Sequence, residues 1–172
     1  TDELEGASLK ITDATGKTVA EWVSEKTPKL VQLDAGTYTL TEETAPNGYT
    51  VAESITFTVD KTGKVTVNGD NVGGVITMKD DTTKVAISKQ DLTGSQEIPG
   101  ATLQILDQNG DVVEEWVSGT NAHYIEAKLI AGETYTLHEA GAPNGYAYAE
   151  DVAFTVGTDG KLQTVTMQDD TT

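Results

Sequence analysis

Ile76-Thr77-Met78-Lys79-Asp80-Asp81-Thr82-Thr83-Lys84-Val85-Ala86-Ile87-Ser88-Lys89-Gln90-Asp91 holds two strand-like runs joined by a short polar hinge. Side chains on a strand alternate between faces. Ile76, Met78 and Asp80 therefore share one face of the first run, and Val85, Ile87 and Lys89 share one face of the second. Each apolar face ends on a charge. A carboxylate or an amine in line with core residues is costly unless it meets a partner, and the rest of the chain indicates where partners lie.

Outward from this stretch, short alternating segments rich in Val, Ile, Thr and Tyr are punctuated by turn signals such as Ala14-Thr15-Gly16, Asn68-Gly69, Asn109-Gly110 and Asp159-Gly160. No sustained helical period is present, so the pattern predicts an all-β fold with sandwich-like spacing. The chain also repeats itself. Leu4-Glu5-Gly6-Ala7-Ser8-Leu9-Lys10-Ile11 returns as Ile98-Pro99-Gly100-Ala101-Thr102-Leu103-Gln104-Ile105, and Glu21-Trp22-Val23-Ser24 as Glu115-Trp116-Val117-Ser118. The block from Ala35 to Glu42 returns, with one insertion, between Ala131 and Glu139. Ala45-Pro46-Asn47-Gly48-Tyr49 returns as Ala142-Pro143-Asn144-Gly145-Tyr146, and residues 76–83 are answered by residues 165–172.

The constant order predicts two copies of one module, 1–81 and 82–172, joined end to end as a rod by a hinge too short to let them wander. The copies differ in one respect. The second opens with an extra strand over Lys84–Asp91, and the first has nothing in that place. The abrupt opening at Thr1-Asp2-Glu3 reads as the start of a piece excised from a longer protein, or else another chain supplies the strand.

Composition narrows the function. The chain of 172 residues carries 28 Asp plus Glu against 11 Lys plus Arg, a net charge of −17, which disfavours nucleic acid and anionic membranes as partners. It has no Cys, so disulfides and thiolate chemistry are excluded. No apolar run is long enough for a membrane span, and no signal peptide is read. His123 and His138 have no second His or Cys nearby, so no zinc site is expected. Asp107-Gln108-Asn109-Gly110-Asp111 lacks the ligand spacing of a calcium loop and reads as a hairpin turn. Trp22 and Trp116, at one place in both copies, read as packing residues. No metal, cofactor or turnover enzyme is indicated.

The inward charges remain. Tyr135, Leu137 and Glu139 share a strand face, as do Tyr38, Leu40 and Glu42. The second module thus combines Lys89, Glu139 and Asp169, whereas the first has Glu42 and Asp80 alone. Burial turns a lysine toward a neutral, nucleophilic amine, and a carboxyl beside another toward its protonated form. The set suits amide formation, with Lys89 attacking the Asp169 carboxyl while Glu139 carries protons. Periodicity alone does not separate this from a buried salt-bridge triad, and each charge taken singly reads also as a solvated strand end.

The Gly-Ala start, the Trp-Val-Ser segment and the Thr-Tyr-Thr-Leu-x-Glu-x-x-Ala-Pro-Asn-Gly-Tyr block together resemble CnaB-type domains. These are the transthyretin-like (inverse Ig-like) β-sandwich repeats of Gram-positive surface adhesins and pilins. The resemblance covers essentially the whole chain. It implies an autocatalytic isopeptide bond between a first-strand Lys and a last-strand Asn or Asp, promoted by a Glu; the matching positions are Lys89, Asp169 and Glu139. Asp at 169 departs from the commoner Asn, so water would be lost rather than ammonia. In the first module Glu42 and Asp80 match, Asp80 being an acceptor without its lysine. Lys10 lies on the outward phase, where the second copy has Gln104.

The implied function is a structural stalk module of an extracellular, cell-wall-anchored adhesin or pilin. Its partners would be neighbouring repeats of the same parent and a donated Lys-bearing strand for the first module. The alternative is an adhesin module whose loops grip a host matrix protein or glycan, for which residues 120–127 are the candidate enlarged loop.

Overall fold

The computed structural model describes residues 3–94 and 96–172; Thr1 and Asp2, at the abrupt opening of the sequence, lie outside them. The described residues form strands and no helix, so none is long and apolar enough to cross a membrane. The chain divides into two compact units, Thr1–Asp81 and Thr82–Thr172.

Unit 2 is a sandwich of two sheets. Its strands are β7 (Lys84–Asp91), β8 (Thr102–Leu106), β9 (Val112–Val117), β10 (His123–Glu126), β11 (Thr134–Gly141), β12 (Val152–Thr155) and β13 (Leu162–Asp169); for naming, β1 to β6 belong to unit 1 and are given below. One sheet runs β12-β11-β8-β9 and the other β10-β7-β13. In the smaller sheet β7 is central, antiparallel to β10 and parallel to β13. The alternation expected of a half-buried sheet is plain. Val85 and Ile87 of β7, Leu103 and Ile105 of β8, Leu137 of β11 and Met167 of β13 are almost fully buried in one cluster between the sheets.

Unit 1 uses the same sequence motifs with a different result. Its strands are β1 (Ser8–Asp13), β2 (Thr18–Val23), β3 (Gly36–Thr44), β4 (Ile55–Val59), β5 (Val65–Val67) and β6 (Asp70–Asn71). All six form one sheet, ordered β2-β1-β3-β4-β5-β6. Asn68 and Gly69, both at positive φ (51° and 84°), close the two-residue β5–β6 hairpin, as the Asn-Gly signal predicts. Ile11, Tyr38, Leu40, Phe57 and Val59 form its core.

One expected strand is absent. Residues 76–80 keep the alternation, with Ile76, Met78 and Asp80 less exposed than Val75, Thr77 and Lys79, yet they form no strand. The reason is the missing neighbour. In unit 2 the matching strand, β13, pairs with β7 and with no other strand among the described residues, and unit 1 has no counterpart of β7 among its described residues. The alternation of residues 76–80 is fixed by apolar contacts to the core, but a strand also needs a backbone partner.

The repeated motifs acquire reasons. Ser118 Oγ donates to the Ile98 carbonyl (2.7 Å) and accepts from the Ala101 N–H (2.9 Å). Ser24 Oγ does the same with the Leu4 carbonyl (2.6 Å) and the Ala7 N–H (2.9 Å). The Trp-Val-Ser segment thus ties down the Gly-Ala start in both units. Asp107 Oδ1 accepts from the N–H groups of Asn109 (2.9 Å) and Asp111 (3.0 Å), the hairpin turn expected there. Trp22 and Trp116 pack at the margins of the two cores.

Candidate functional site

In unit 2 the three charges meet. Lys89 and Asp169 project inward from the parallel neighbours β7 and β13, with Lys89 in register with Met167. Glu139 faces them from β11 in the opposite sheet, in register there with Leu103. The ladder shifts directly after Glu139, so Ala140 is an extra residue and the inward face of β11 ends on the carboxylate. The ladder of β3 shifts at the corresponding place after Glu42.

Lys89 Nζ contacts Asp169 Oδ1 and lies 3.1 Å from Glu139 Oε2. All three side chains are sealed from solvent, at 2% exposure for Lys89 and Glu139 and 0% for Asp169. Asp169 Oδ2 is buried with no hydrogen-bond partner, an unstable situation for an ionised carboxylate. Burial holds the Lys89 pKa below its usual value of 10.5, and the Glu139 carboxylate only partly offsets this. The geometry therefore places a weakened amine against a carboxyl carbon's oxygen, with a second carboxyl within proton-transfer reach.

Glu139 is anchored by a contact that sequence reasoning does not provide. Its Oε1 accepts from the Ala149 N–H at 2.8 Å. The Ala-Pro-Asn-Gly-Tyr block makes this possible: Tyr146 N–H bonds back to the Pro143 carbonyl (3.1 Å), with Gly145 at φ 87°. The chain then returns beneath the Glu. Unit 1 repeats the arrangement, with the Ala52 N–H to Glu42 Oε1 at 2.7 Å and Tyr49 N–H to the Pro46 carbonyl at 3.1 Å. The signal was the block itself, repeated ahead of a backbone donor that has no side-chain signature. In unit 2 Tyr146 Oη also donates to Asp91 Oδ2 (2.8 Å), holding the end of β7 beside the site.

In unit 1 Glu42 is 4% exposed and Asp80 Oδ2 is buried with no hydrogen-bond partner. Burial is the main cause that raises the Glu42 pKa to about 7; the Ala52 N–H opposes it, and Asp80 adds to it. Burial likewise raises Asp80, opposed by its hydrogen bond with Glu42. No cation is among the groups acting on either. Lys10 points away and pairs with Glu43 at 2.7 Å.

A carboxyl whose folded pKa is raised retains its proton longer in the folded state. Below the usual value of 4.5 both states are protonated and the contribution of Glu42 is neutral; between 4.5 and about 7 it destabilises increasingly; above that the loss is complete. Unit 1 should thus be less stable at pH 8 than at pH 5, by about 2–3 kcal/mol at most. Thermal unfolding at the two pH values checks this, and Glu42→Gln should remove most of the difference. A pH dependence unchanged in that variant would contradict the assignment.

The remaining candidates are surface features. His138 pairs with Asp151 (2.7 Å), and His123 pairs with Glu114 (3.0 Å) while stacking on Trp116 at 4.2 Å between ring centroids. Among the described residues no cluster of three His, Cys, Asp or Glu could hold a metal ion. Residues 120–127 are no enlarged loop. They contain β10, whose pairing with β7 explains their extra length.

No curated protein gives a match to the chain. Among solved structures, the Bacillus anthracis TIE protein is similar in fold over 98% of this chain, at 23% identity and a TM-score of 0.53; this chain spans 31% of that one. The shaft pilin SpaA from Lactobacillus rhamnosus GG is similar over 98% of this chain and 88% of its own (13% identity, TM-score 0.46). The C-terminal fragment of the pilus adhesin SpaC from the same organism is similar over 97% of this chain and 89% of its own (18% identity, TM-score 0.46). The SpaA prealbumin-like fold domain matches residues 1–72 and again residues 83–171. With nearly its whole length matched in two successive copies, the chain belongs to the SpaA prealbumin-like fold domain family.

Proposed function

We propose that this chain is a load-bearing part of a bacterial surface pilin or adhesin, in which unit 2 is locked by an isopeptide bond between Lys89 and Asp169. The observation that carries the reading is the buried contact of Lys89 Nζ with Asp169, with Glu139 Oε2 3.1 Å away. The neutral amine attacks Cγ of Asp169. Glu139 takes a proton from the nitrogen and returns one to the departing hydroxyl, so that one amide forms and one water leaves. Sealing by the core strengthens these interactions and keeps solvent from the product.

The topology suits a stalk. β7 and β13 are neighbouring first and last strands of unit 2. Tension entering at β7 would cross from Lys89 to Asp169 and leave the unit, so the residues between them would carry none. The family resemblance, the tandem repeat and this force path together support an extracellular, wall-linked setting, with neighbouring repeats of the parent protein as partners.

Intact mass tests the proposal. The chain should weigh one water less than its sequence, and Lys89→Ala or Glu139→Ala should restore the full sequence mass. A wild-type chain at full mass would end the claim.

A further inference from the structure

One carboxylate outside the buried triad links the segments that hold it. Asp91 is the last residue of β7, two positions past Lys89 and on the same phase of the strand. Its Oδ1 accepts from the Thr93 N–H (2.8 Å) and from the Thr93 hydroxyl (2.7 Å), which fixes the turn that leaves the strand. Within that turn the Leu92 N–H reaches the Asp169 carbonyl at 2.8 Å. The Lys89 carbonyl accepts from the Ile98 N–H, also at 2.8 Å. Both residues of the expected bond are thus held through their backbones by N–H groups that follow Asp91 in the chain.

The other oxygen reaches a different part of the site. Asp91 Oδ2 accepts from the Tyr146 hydroxyl at 2.8 Å. Tyr146 stands in the loop after β11, and that loop has three further ties. The Ala149 N–H donates to Glu139 Oε1 (2.8 Å), the Ala147 N–H to the Asp170 carbonyl (3.0 Å), and the Thr172 N–H to the Gly145 carbonyl (2.9 Å). One loop therefore holds both the Glu139 side chain and the chain directly after Asp169, and the Asp91–Tyr146 contact fastens it to the end of β7. Neither partner is a proton carrier near neutral pH. The Thr93 hydroxyl, the Thr93 N–H and Tyr146 keep the Asp91 pKa below its usual 3.8, and the bond to Asp91 keeps the Tyr146 phenol above its usual 10.0. The carboxylate stays ionised and the phenol keeps its proton, so the contact acts through geometry.

We propose that Asp91, through its contact with Tyr146, is a positioning residue for the joining of Lys89 to Asp169, locking β7, β13 and the loop that carries the Glu139 anchor into one register before the amide forms. The role rests on the reading of unit 2 given above. The amide forms only while Lys89 Nζ lies at the Asp169 carboxyl with Glu139 within proton reach, and a displacement of about 1 Å costs on the order of a hundredfold in rate. Once the amide exists, the new bond itself holds β7 to β13, and the Asp91–Tyr146 contact adds little. A large effect on the rate of bond formation and a small one on the finished product is the signature of this role.

The test follows the full chain from cell-free translation, quenched in acidic denaturant at timed intervals and weighed intact. Tyr146→Phe should delay the loss of one water by about tenfold, and Asp91→Ala by at least as much. The double variant should be no slower than Asp91→Ala, since both changes remove one contact. Asp91→Asn should stay within about threefold of wild type, because its oxygen still accepts from Thr93 and its NH2 donates to the Tyr146 oxygen; combined with Tyr146→Phe it should react at the slow rate. After the reaction is complete, unit 2 of Tyr146→Phe should melt within about 3 °C of wild type. If Asp91→Ala does not fold, the Tyr146→Phe and Asp91→Asn variants decide. Variants that react as fast as a wild type that does lose water, or a delay matched by a lower melting temperature of the reacted chain, overturn the positioning role and leave the bond standing. A wild type that never loses water ends the reading of unit 2 and this role with it.

Discussion

Lys89→Met should lower the melting temperature of unit 2 by about 20 °C. The bond would close a loop of 80 positions, which on the chain-entropy view contributes about 4 kcal/mol, and a domain of this size shifts by about 4–8 °C per kcal/mol. Methionine keeps much of the volume of the lysine stem, so lost packing alone predicts a change near zero. The substitution also leaves Glu139 and Asp169 as buried carboxyls without a cation, the situation of Glu42 and Asp80. Asp169→Ala provides the control, because it removes the tie from the other side and should also melt far below the wild type. Calorimetry decides. A Lys89→Met protein melting within about 3 °C of wild type would show that Lys89 carries no covalent tie.

The second large effect is expected at Ile87. This side chain is 1% exposed at the middle of β7 and lies in register with His123 of β10 and Val165 of β13. Ile87→Asp would bury an unpartnered carboxylate in the central strand of the small sheet, costing on the order of 4 kcal/mol. Because β7 lies between β10 and β13 in their sheet, both should lose their strand partner together. Unit 1 illustrates the expected outcome, a single sheet with its closing segment unpaired. Hydrogen exchange should show lost protection in β10 and β13, with β8 and β11 still protected. Intact mass should return to the full sequence value, since Lys89 and Asp169 would no longer be held together. A variant that keeps the one-water deficit would refute the link between β7 pairing and the reaction.

Much of this was legible before any coordinates. The bounds of β7 follow from the alternation of Lys84–Asp91 and match the strand found. The phases of Tyr38, Leu40 and Glu42, and of Tyr135, Leu137 and Glu139, match burial because a period of two leaves no freedom once one face is apolar. The outward place of Lys10 was readable for the same reason, and its partner is Glu43. Residues 76–80 were legible only in part. Their alternation is local and persists, but strand formation depends on a hydrogen-bonding neighbour, and no local pattern reports its absence.

The sequence by itself determined the all-β class, the repeat, the motifs that place the chain in its family, and which charges face inward. These follow from periodicity and turn chemistry, which act over a few residues. Only the tertiary structure decided that Lys89, Glu139 and Asp169 converge, because they come from two sheets and the last two are brought to the first by strand order and a register shift. It also decided that Ala149 and Ala52 anchor the glutamates, since a backbone N–H has no letter of its own. And it decided that unit 1 closes as one sheet, because the strand both flanking segments need is central, and a central strand cannot be missing without undoing its neighbours on each side.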